Sequence, residues 1–218
     1  MGHCIGVVQQ KGGCGKSSTA IALAYWLSFK HNLKTLLIDA DAQRSSSKWA
    51  SSLQQTIPCQ IIGESDSLIE QVDKLAAAWD FVVIDGPGSL AEVTRAIVLL
   101  ADLALMPCQP TGLDLSSASD TVRLIAQARA IRKGMPEGVA FLSRAVKGTR
   151  LKDEAKEFLE DMPGITLLKS IVHQRQAIAD SVGQQAVVWT MSDRAAADAA
   201  REYNNLFTEV MGCLSASH

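Results

Sequence analysis

A doubly wound, mostly parallel α/β sheet built as one domain is the fold this sequence predicts. Three observations predict it. Short apolar runs alternate with stretches of helical periodicity along the whole chain, the pattern of a parallel sheet covered by helices on both faces. A glycine-rich loop sits between the first of those runs and the first helix. No repeat, low-complexity tract or Pro/Gly/Ser-rich linker interrupts the 218 residues, a length for which one domain spanning 1–218 is the default.

Taken in order, Cys4 to Gln9 (CIGVVQ) is a short apolar run, and Ser17 to Lys30 carries Ile21, Ala24, Tyr25 and Leu27 at helical spacing. Thr35 to Asp39 (TLLID) reads as a strand, Ser45 to Gln54 as a polar helix and Cys59 to Ile62 as a strand. Leu68 to Trp79 is helical, Phe81 to Asp85 (FVVID) a strand, Ala91 to Ala101 a helix and Leu103 to Pro107 a strand. A long helix, Ser116 to Lys133, precedes the strand Val139 to Ser143 and the helix Leu151 to Asp161. The last third is less regular, with a short strand near Leu167, a helix from Gln176 to Val182 and a final helix from Arg194 to Met211. The first strand begins at residue 4, which leaves no room ahead of it for a helix-turn-helix module and argues against operator recognition by that route.

Composition narrows the function. Apolar residues make up 47% and charged residues 20%, enough for a sizeable core and incompatible with a disordered chain. The net charge of −2 means that any nucleic-acid contact must come from a local patch. Five cysteines, none at CxxC spacing, disfavour a disulfide framework, a zinc ribbon and a cysteine-ligated iron–sulfur cluster. No secretory leader and no apolar run near the ~20 residues of a membrane helix are present, so the chain reads as soluble, reduced and cytoplasmic.

The strongest chemical signal is KGGCGKSS, Lys11 to Ser18, between the first strand and the first helix. Gly12, Gly13 and Gly15 let backbone N–H groups turn inward onto phosphate oxygens, and the following helix adds the positive end of its dipole. Lys16 would neutralise the terminal phosphates and Ser17 would place its hydroxyl on a magnesium ion. A P-loop usually has a glycine five residues before Gly15; Gln10 stands there, followed by a second lysine, Lys11. The plain alternative, a glycine-rich turn with a capping serine, is weak when strand, loop, lysine and helix come in this order. Asp85, opening DGPG after FVVI, lies at a strand's carboxyl end, where open α/β sheets bind ligands. DADAQ (Asp39 to Gln43) ends a second strand with two carboxylates. Helix capping is the ordinary use of such aspartates, but here they share an edge with a P-loop.

These residues resemble the deviant-Walker ATPases of the ParA/MinD family, within the SIMIBI class of P-loop NTPases. KGGCGKSS is similar to that family's Walker A box with its signature lysine, DADAQ to the A′ box and FVVIDGPG to the Walker B strand. The likeness continues through MPCQPTGLDL (Met106 to Leu115), Ser143–Arg144 and Gln174–Arg175–Gln176, and is greatest to short ParA proteins of the ParF type; McdA-like carboxysome-positioning ATPases are similar short proteins. Departures are Cys14, Ser17–Ser18 for threonines, Ala42 for proline and Ser143 for asparagine.

The resemblance implies Mg2+-dependent ATP hydrolysis in a face-to-face homodimer. Lys11 would reach the partner's ATP, Lys16 would serve its own, and Asp41 would position the attacking water. It further implies that Gly12, Gly13, Cys14, Gly15, Lys16, Ser17, Ser18, Asp39 and Arg144 hold the nucleotide, and that Ser17, Asp39 and Asp85 serve the metal. Hydrolysis would be slow, because a lysine acting in trans lacks the bidentate fork of an arginine finger. A small ParB-like or McdB-like adaptor would stimulate it, and the cargo would be a plasmid or a protein compartment.

Between Asp120 and Asp153 eight basic residues face one acid, Glu137, for a local charge of +7. Charge runs are usually solvated faces, but this asymmetry favours a surface for the backbone of duplex DNA, with Arg123, Lys147, Arg150, Lys152 and Arg175 as contacts. Phe141 is the one aromatic there, so base stacking is not expected. His3, His31, His173 and His218 show no metal spacing, the four tryptophans read as packing residues, and Asp114 reads equally as a helix cap or a contact to nucleotide or partner. A MinD-type membrane helix is disfavoured, because no lysine or arginine follows Arg201. An ATP-dependent ligase of the same superfamily is the enzymatic alternative, and a filament-forming scaffold is left open.

Overall fold

The computed structural model describes residues 2–89 and 92–216, with side chains at all of these but 112–115. Five-residue β1 (His3–Val7) leads through the glycine loop into α1 (Lys16–Tyr25), which continues as a π-helical turn, Trp26–Lys30. Then follow β2 (Thr35–Asp39), α2 (Ser45–Ser52), β3 (Cys59–Ile61), α3 (Ser65–Ala78) and β4 (Phe81–Asp85). Next are α4 (Glu92–Leu100), β5 (Leu103–Cys108), α5 (Gly112–Ile131), β6 (Glu137–Ala145) and α6 (Arg150–Glu160). β7 (Thr166–His173), α7 (Gln176–Gly183) and α8 (Arg194–Ala216) complete the chain.

Among the described residues seven strands form one sheet, in the order β3-β2-β4-β1-β5-β6-β7, and every pair is parallel. The period of two in each strand divides the core into two layers. Ile5, Leu105, Phe141 and Val172 face α1, α2 and α8, while Cys4, Ala104, Leu142 and Ile171 face α3, α4, α5 and α6. Both faces are dry, which is why the strands read as unbroken apolar runs. α4 lies flush on β1: a Cβ at Gly6 would stand 2.6 Å from Ile97 Cγ2.

β1 sits between β4 and β5, so the connections leaving β1 and β4 part in opposite directions above it. This is the crevice where such sheets bind ligands. The glycine loop opens there. Asp85 is in register with Val7 on one side and with Asp39 on the other.

Several boundaries differ from expectation by a few residues, α8 running on to Ala216 and β6 spanning Glu137–Ala145, and two of the differences bear on the site. α5 begins at Gly112 rather than Ser116, a stretch that includes Asp114, whose side chain lies outside the described residues. β7 runs for eight residues where only a short strand near Leu167 was legible. Lys169 and Ser170 interrupt its apolar pattern, and the register against β6 shifts on either side of Leu142.

β7 is an edge strand whose free amides are covered by α8. Glu209 accepts from the amides of Lys169 (2.8 Å) and Ser170 (2.9 Å) and from the Ser170 hydroxyl, and Glu202 accepts from the amide of His173 (2.9 Å). The other side of α8 buries Tyr203, Leu206, Phe207, Val210 and Leu214 against the sheet. Its apolar stripe is therefore spent inside the fold. Glu209→Ala strips three acceptor contacts from the edge and should lower unfolding free energy by about 2 kcal/mol, measured as the urea midpoint at unchanged m-value.

Candidate nucleotide-binding site

Gly13 (φ +81°) and Gly15 (φ +101°) adopt the left-handed backbone that a side chain resists, and this turns the loop back on itself before α1. Gly15 has a second reason to lack a side chain: a Cβ there would lie 2.8 Å from Ser143 Oγ. Gly88 packs from the other side, its Cβ position 3.3 Å from the Gly12 nitrogen and 3.6 Å from Lys16 Nζ. Arg144, itself left-handed at φ +54°, donates from its guanidinium to the Gly13 carbonyl. Lys16 is only 6% exposed, and its Nζ donates to the Lys11 carbonyl at 2.8 Å. Cys14 is buried and its thiol donates to the same oxygen at 3.3 Å. The loop is a closed ring of backbone with an ammonium at its centre.

Asp39 and Asp85, side by side at the ends of β2 and β4, are fully buried. Asp39 accepts from the amides of Asp41 (3.1 Å) and Ser47 (2.7 Å), so its carboxylate pins the A′ loop and the start of α2. Asp85 is different. Neither of its oxygens has a hydrogen-bond partner, and the buried Ser46 hydroxyl has none either. Burial pushes the Asp85 carboxyl up to about 7, with the neighbouring Asp39 charge adding to it, while the Ser17 and Ser46 hydroxyls, which approach it without completing a hydrogen bond, and the Lys16 charge pull it back.

A buried carboxylate without partners, close to a serine hydroxyl and a phosphate loop, is a hard oxygen donor set suited to a hydrated Mg2+. Among the described residues no three His, Cys, Asp or Glu side chains cluster as a metal cage. The residues present fit an ion that keeps several waters and takes its other ligands from phosphate. Ser17 and Asp85 would hold it, with Asp39 acting through the backbone it fixes.

The loop forms one end of a cleft of about 640 Å³. Ser17, Ser18, Asp41, Gln43, Ser143 and Arg144 line it near the phosphate loop, and Trp49, Val172, Ile178, Ala179, Val182 and Tyr203 supply apolar wall. Asp41 is half-exposed there, and one of its carboxylate oxygens accepts from the Gln43 amide at 3.0 Å. Lys11 does not line the cleft.

Arg175, expected among the DNA contacts, is instead part of this wall. Its guanidinium is 16% exposed and bound to Glu202 (2.6 Å) and Asp198 (3.5 Å). The basic run divides in a similar way. Arg129 pairs with Glu137 (2.9 Å) and Arg132 with Asp102 (3.6 Å), at the amino end of the sheet, away from the cleft. Lys147 and Arg150 are exposed near the carboxyl end, and Arg123 is exposed along α5. Arg123, Arg150 and Lys152 each have an acidic neighbour: Asp120, Glu154 and Asp153. The +7 counted along the chain is therefore not one patch.

Several site residues carried no readable signal. His173, without metal spacing in the sequence, is a cleft residue whose Nδ1 lies 2.9 Å from Glu202 Oε1. Gln9, fully buried, receives the Gln10 amide (2.9 Å) and the Thr121 hydroxyl (3.1 Å), tying the entrance of the loop to α5. Trp49 does pack, but as cleft wall, with its indole N–H on the Ala186 carbonyl (2.9 Å). A polar Gln9–Gln10 pair directly after an apolar strand was the one cue available.

The family described as VirC1 protein matches residues 3–211. This chain belongs to that family. Among relatives of this VirC1-family chain, the maintenance of carboxysome distribution protein A of Halothiobacillus neapolitanus is 25% identical over 211 residues, 95% of each chain. Protein ParA of Rhizobium radiobacter is 26% identical over 178 residues, 78% of each. The ATP complex of a Cyanothece McdA variant superimposes with a TM-score of 0.74 at 15% identity, covering 97% of this chain and 96% of that one, a likeness of fold. Among the described residues no helix is long and apolar enough to cross a membrane.

Asp85 yields a pH prediction for the metal-free protein. Its carboxyl titrates near 4 when unfolded and at about 7 when folded, so the folded state is penalised as pH rises from about 4 to about 7 and fully penalised above. Asp85→Asn should flatten that dependence and stabilise the metal-free protein at pH 8, by up to about 4 kcal/mol. Urea unfolding at pH 5 and pH 8, with chelator, reads both.

Proposed function

We propose that this chain is an Mg2+-dependent ATPase that dimerises on ATP, holds nucleoid DNA without reading its sequence, and so partitions or positions a cargo in the cytoplasm. The observation that carries the reading is the closed phosphate loop with Lys16 at its centre and the unpartnered Asp85 beside it. On nucleotide entry the Lys16 ammonium exchanges the Lys11 carbonyl for phosphate oxygens, and the loop amides take the rest of the charge. A magnesium ion held by Ser17 and Asp85 would neutralise charge on the phosphates. Asp41 accepts a hydrogen bond from the attacking water, in a position fixed through Asp39. Gly12, Gly13, Cys14, Gly15, Ser17 and Ser18 shape the phosphate end, and Arg144 closes it.

Lys11, as the family resemblance implies, acts across a twofold axis on a second copy's nucleotide. A point charge there accelerates transfer less than a bidentate arginine, and the slow turnover suits a timer. The names of the relatives, a carboxysome-distribution protein and a ParA, support the partition reading, and a small stimulating adaptor is the partner that the family resemblance implies. For DNA, Arg123, Lys147, Arg150 and Lys152 remain the candidates. Few contacts per protomer make binding weak, and an ATP-bound dimer gains by avidity.

Sizing with ATP is the decisive test. Asp41→Ala should bind ATP and accumulate as a dimer, while Lys11→Ala should bind ATP and stay monomeric; a monomeric Asp41→Ala with ATP bound would sink the sandwich. DNA affinity should need ATP and fall with salt at a log–log slope of roughly −0.9 per phosphate neutralised, and Lys147→Ala should reduce that slope by about 1. Equal affinity with ADP would count against the switch.

A further inference from the structure

Outside the phosphate loop, a cluster of charged side chains stands on the cleft wall at the junction of β7, α7 and α8. Glu202 reaches across from α8 and engages both side chains that follow one another along this wall. Its Oε1 meets His173 Nδ1 (2.9 Å) and Arg175 Nη2 (2.6 Å), and its Oε2 accepts from Arg175 Nε (3.3 Å) and from the His173 amide (2.9 Å). Asp198, one turn earlier on α8, takes Arg175 Nη1 at 3.5 Å. Every nitrogen of the guanidinium is thereby held, so the plane of Arg175 is fixed rather than free to follow a ligand.

The chemistry of His173 follows from the same contact. A carboxylate can only accept, so Glu202 makes Nδ1 the protonated nitrogen, and in the neutral ring Nε2 is left as an acceptor. Both residues line the cleft, together with Val172, Ile178 and Val182. They stand at the end of β7, the outermost strand on that side, while the phosphate loop follows central β1. A nucleotide with its phosphates on the loop would place its base toward this wall. An acceptor there suits the exocyclic amine of a 6-aminopurine and opposes the carbonyl of a 6-oxopurine.

We propose that Glu202 is a positioning and specificity-determining residue: from α8 it fixes the tautomer of His173 and the plane of Arg175, so that the base end of the cleft selects adenine over guanine without Glu202 touching the nucleotide. This rests on the cleft being the ATP site. Glu209 supplies an internal control, because it covers the β7 edge in the same way but orients nothing in the cleft.

The test is equilibrium binding of fluorescent ATP and GTP analogues at pH 8, alongside the thermal midpoint. Glu202→Gln replaces the acceptor facing His173 or Arg175 with a donor, and should weaken ATP binding roughly tenfold, the scale of one charge-assisted contact, and reduce the ATP-over-GTP preference. His173→Phe, which keeps the ring and removes the acceptor, should lose the same preference and serves if Glu202→Gln does not fold. Glu209→Gln should lower the thermal midpoint and leave both affinities unchanged. If Glu202→Gln and His173→Phe keep the wild-type preference, or Glu209→Gln alters it equally, the inference is overturned. If the wild type binds neither analogue, the nucleotide reading itself fails.

Discussion

A lysine ammonium cannot be buried without oxygen around it, and the site follows from how this chain meets that demand at Lys16. Without phosphate, the oxygen comes from the Lys11 carbonyl, which only a loop folded tightly on itself can present. Folding that tightly requires left-handed backbone at Gly13 and Gly15, a bare Cα at Gly15 where Ser143 presses in, and another at Gly88, which packs against Gly12. The loop is thus already shaped as a cradle, and phosphate replaces an internal partner rather than creating the geometry. Asp85 is the complementary case, a buried carboxyl whose oxygens complete no hydrogen bond. One charge is satisfied by the fold and the other left for a ligand.

The carboxyl end of the sheet collects these groups because parallel strands end there together. Register puts Val7, Asp39 and Asp85 abreast on three neighbouring strands, and the order of strands then sets distance from the phosphates outward to β7. α8, last in the chain, covers the open edge of β7 with Glu202 and Glu209 and packs its apolar stripe on the sheet. Edge protection and cleft wall are therefore one structure, and the helix farthest along the sequence from the glycine loop shapes the same cleft.

Charge counted along the chain and charge in space differ for a definite reason. α5 runs the length of the sheet, so basic residues at its end are carried to the opposite pole from those following β6. Arg129 and Arg132 are consumed there by Glu137 and Asp102, anchoring α5 rather than meeting a partner. What remains near the cleft is Arg144 on the loop, exposed Lys147, and Arg150 and Lys152 with acidic neighbours.

The sequence by itself determined the fold class, nearly all the elements and the phosphate end, because these are local: glycine spacing, a lysine at a helix start and aspartates closing apolar runs lie within a few residues of one another. It also determined that Asp39 and Asp85 share an edge, since parallel strands leave no other choice. Only the tertiary structure decided that His173, Arg175 and Glu202 form one unit, that Gln9 leans on Thr121, and that Trp49 lines the cleft. Those contacts join residues 27 to 137 positions apart, and no periodicity reports such pairs. The same holds for β7, whose polar middle looks unlike a strand until Glu209 arrives from α8 to satisfy it.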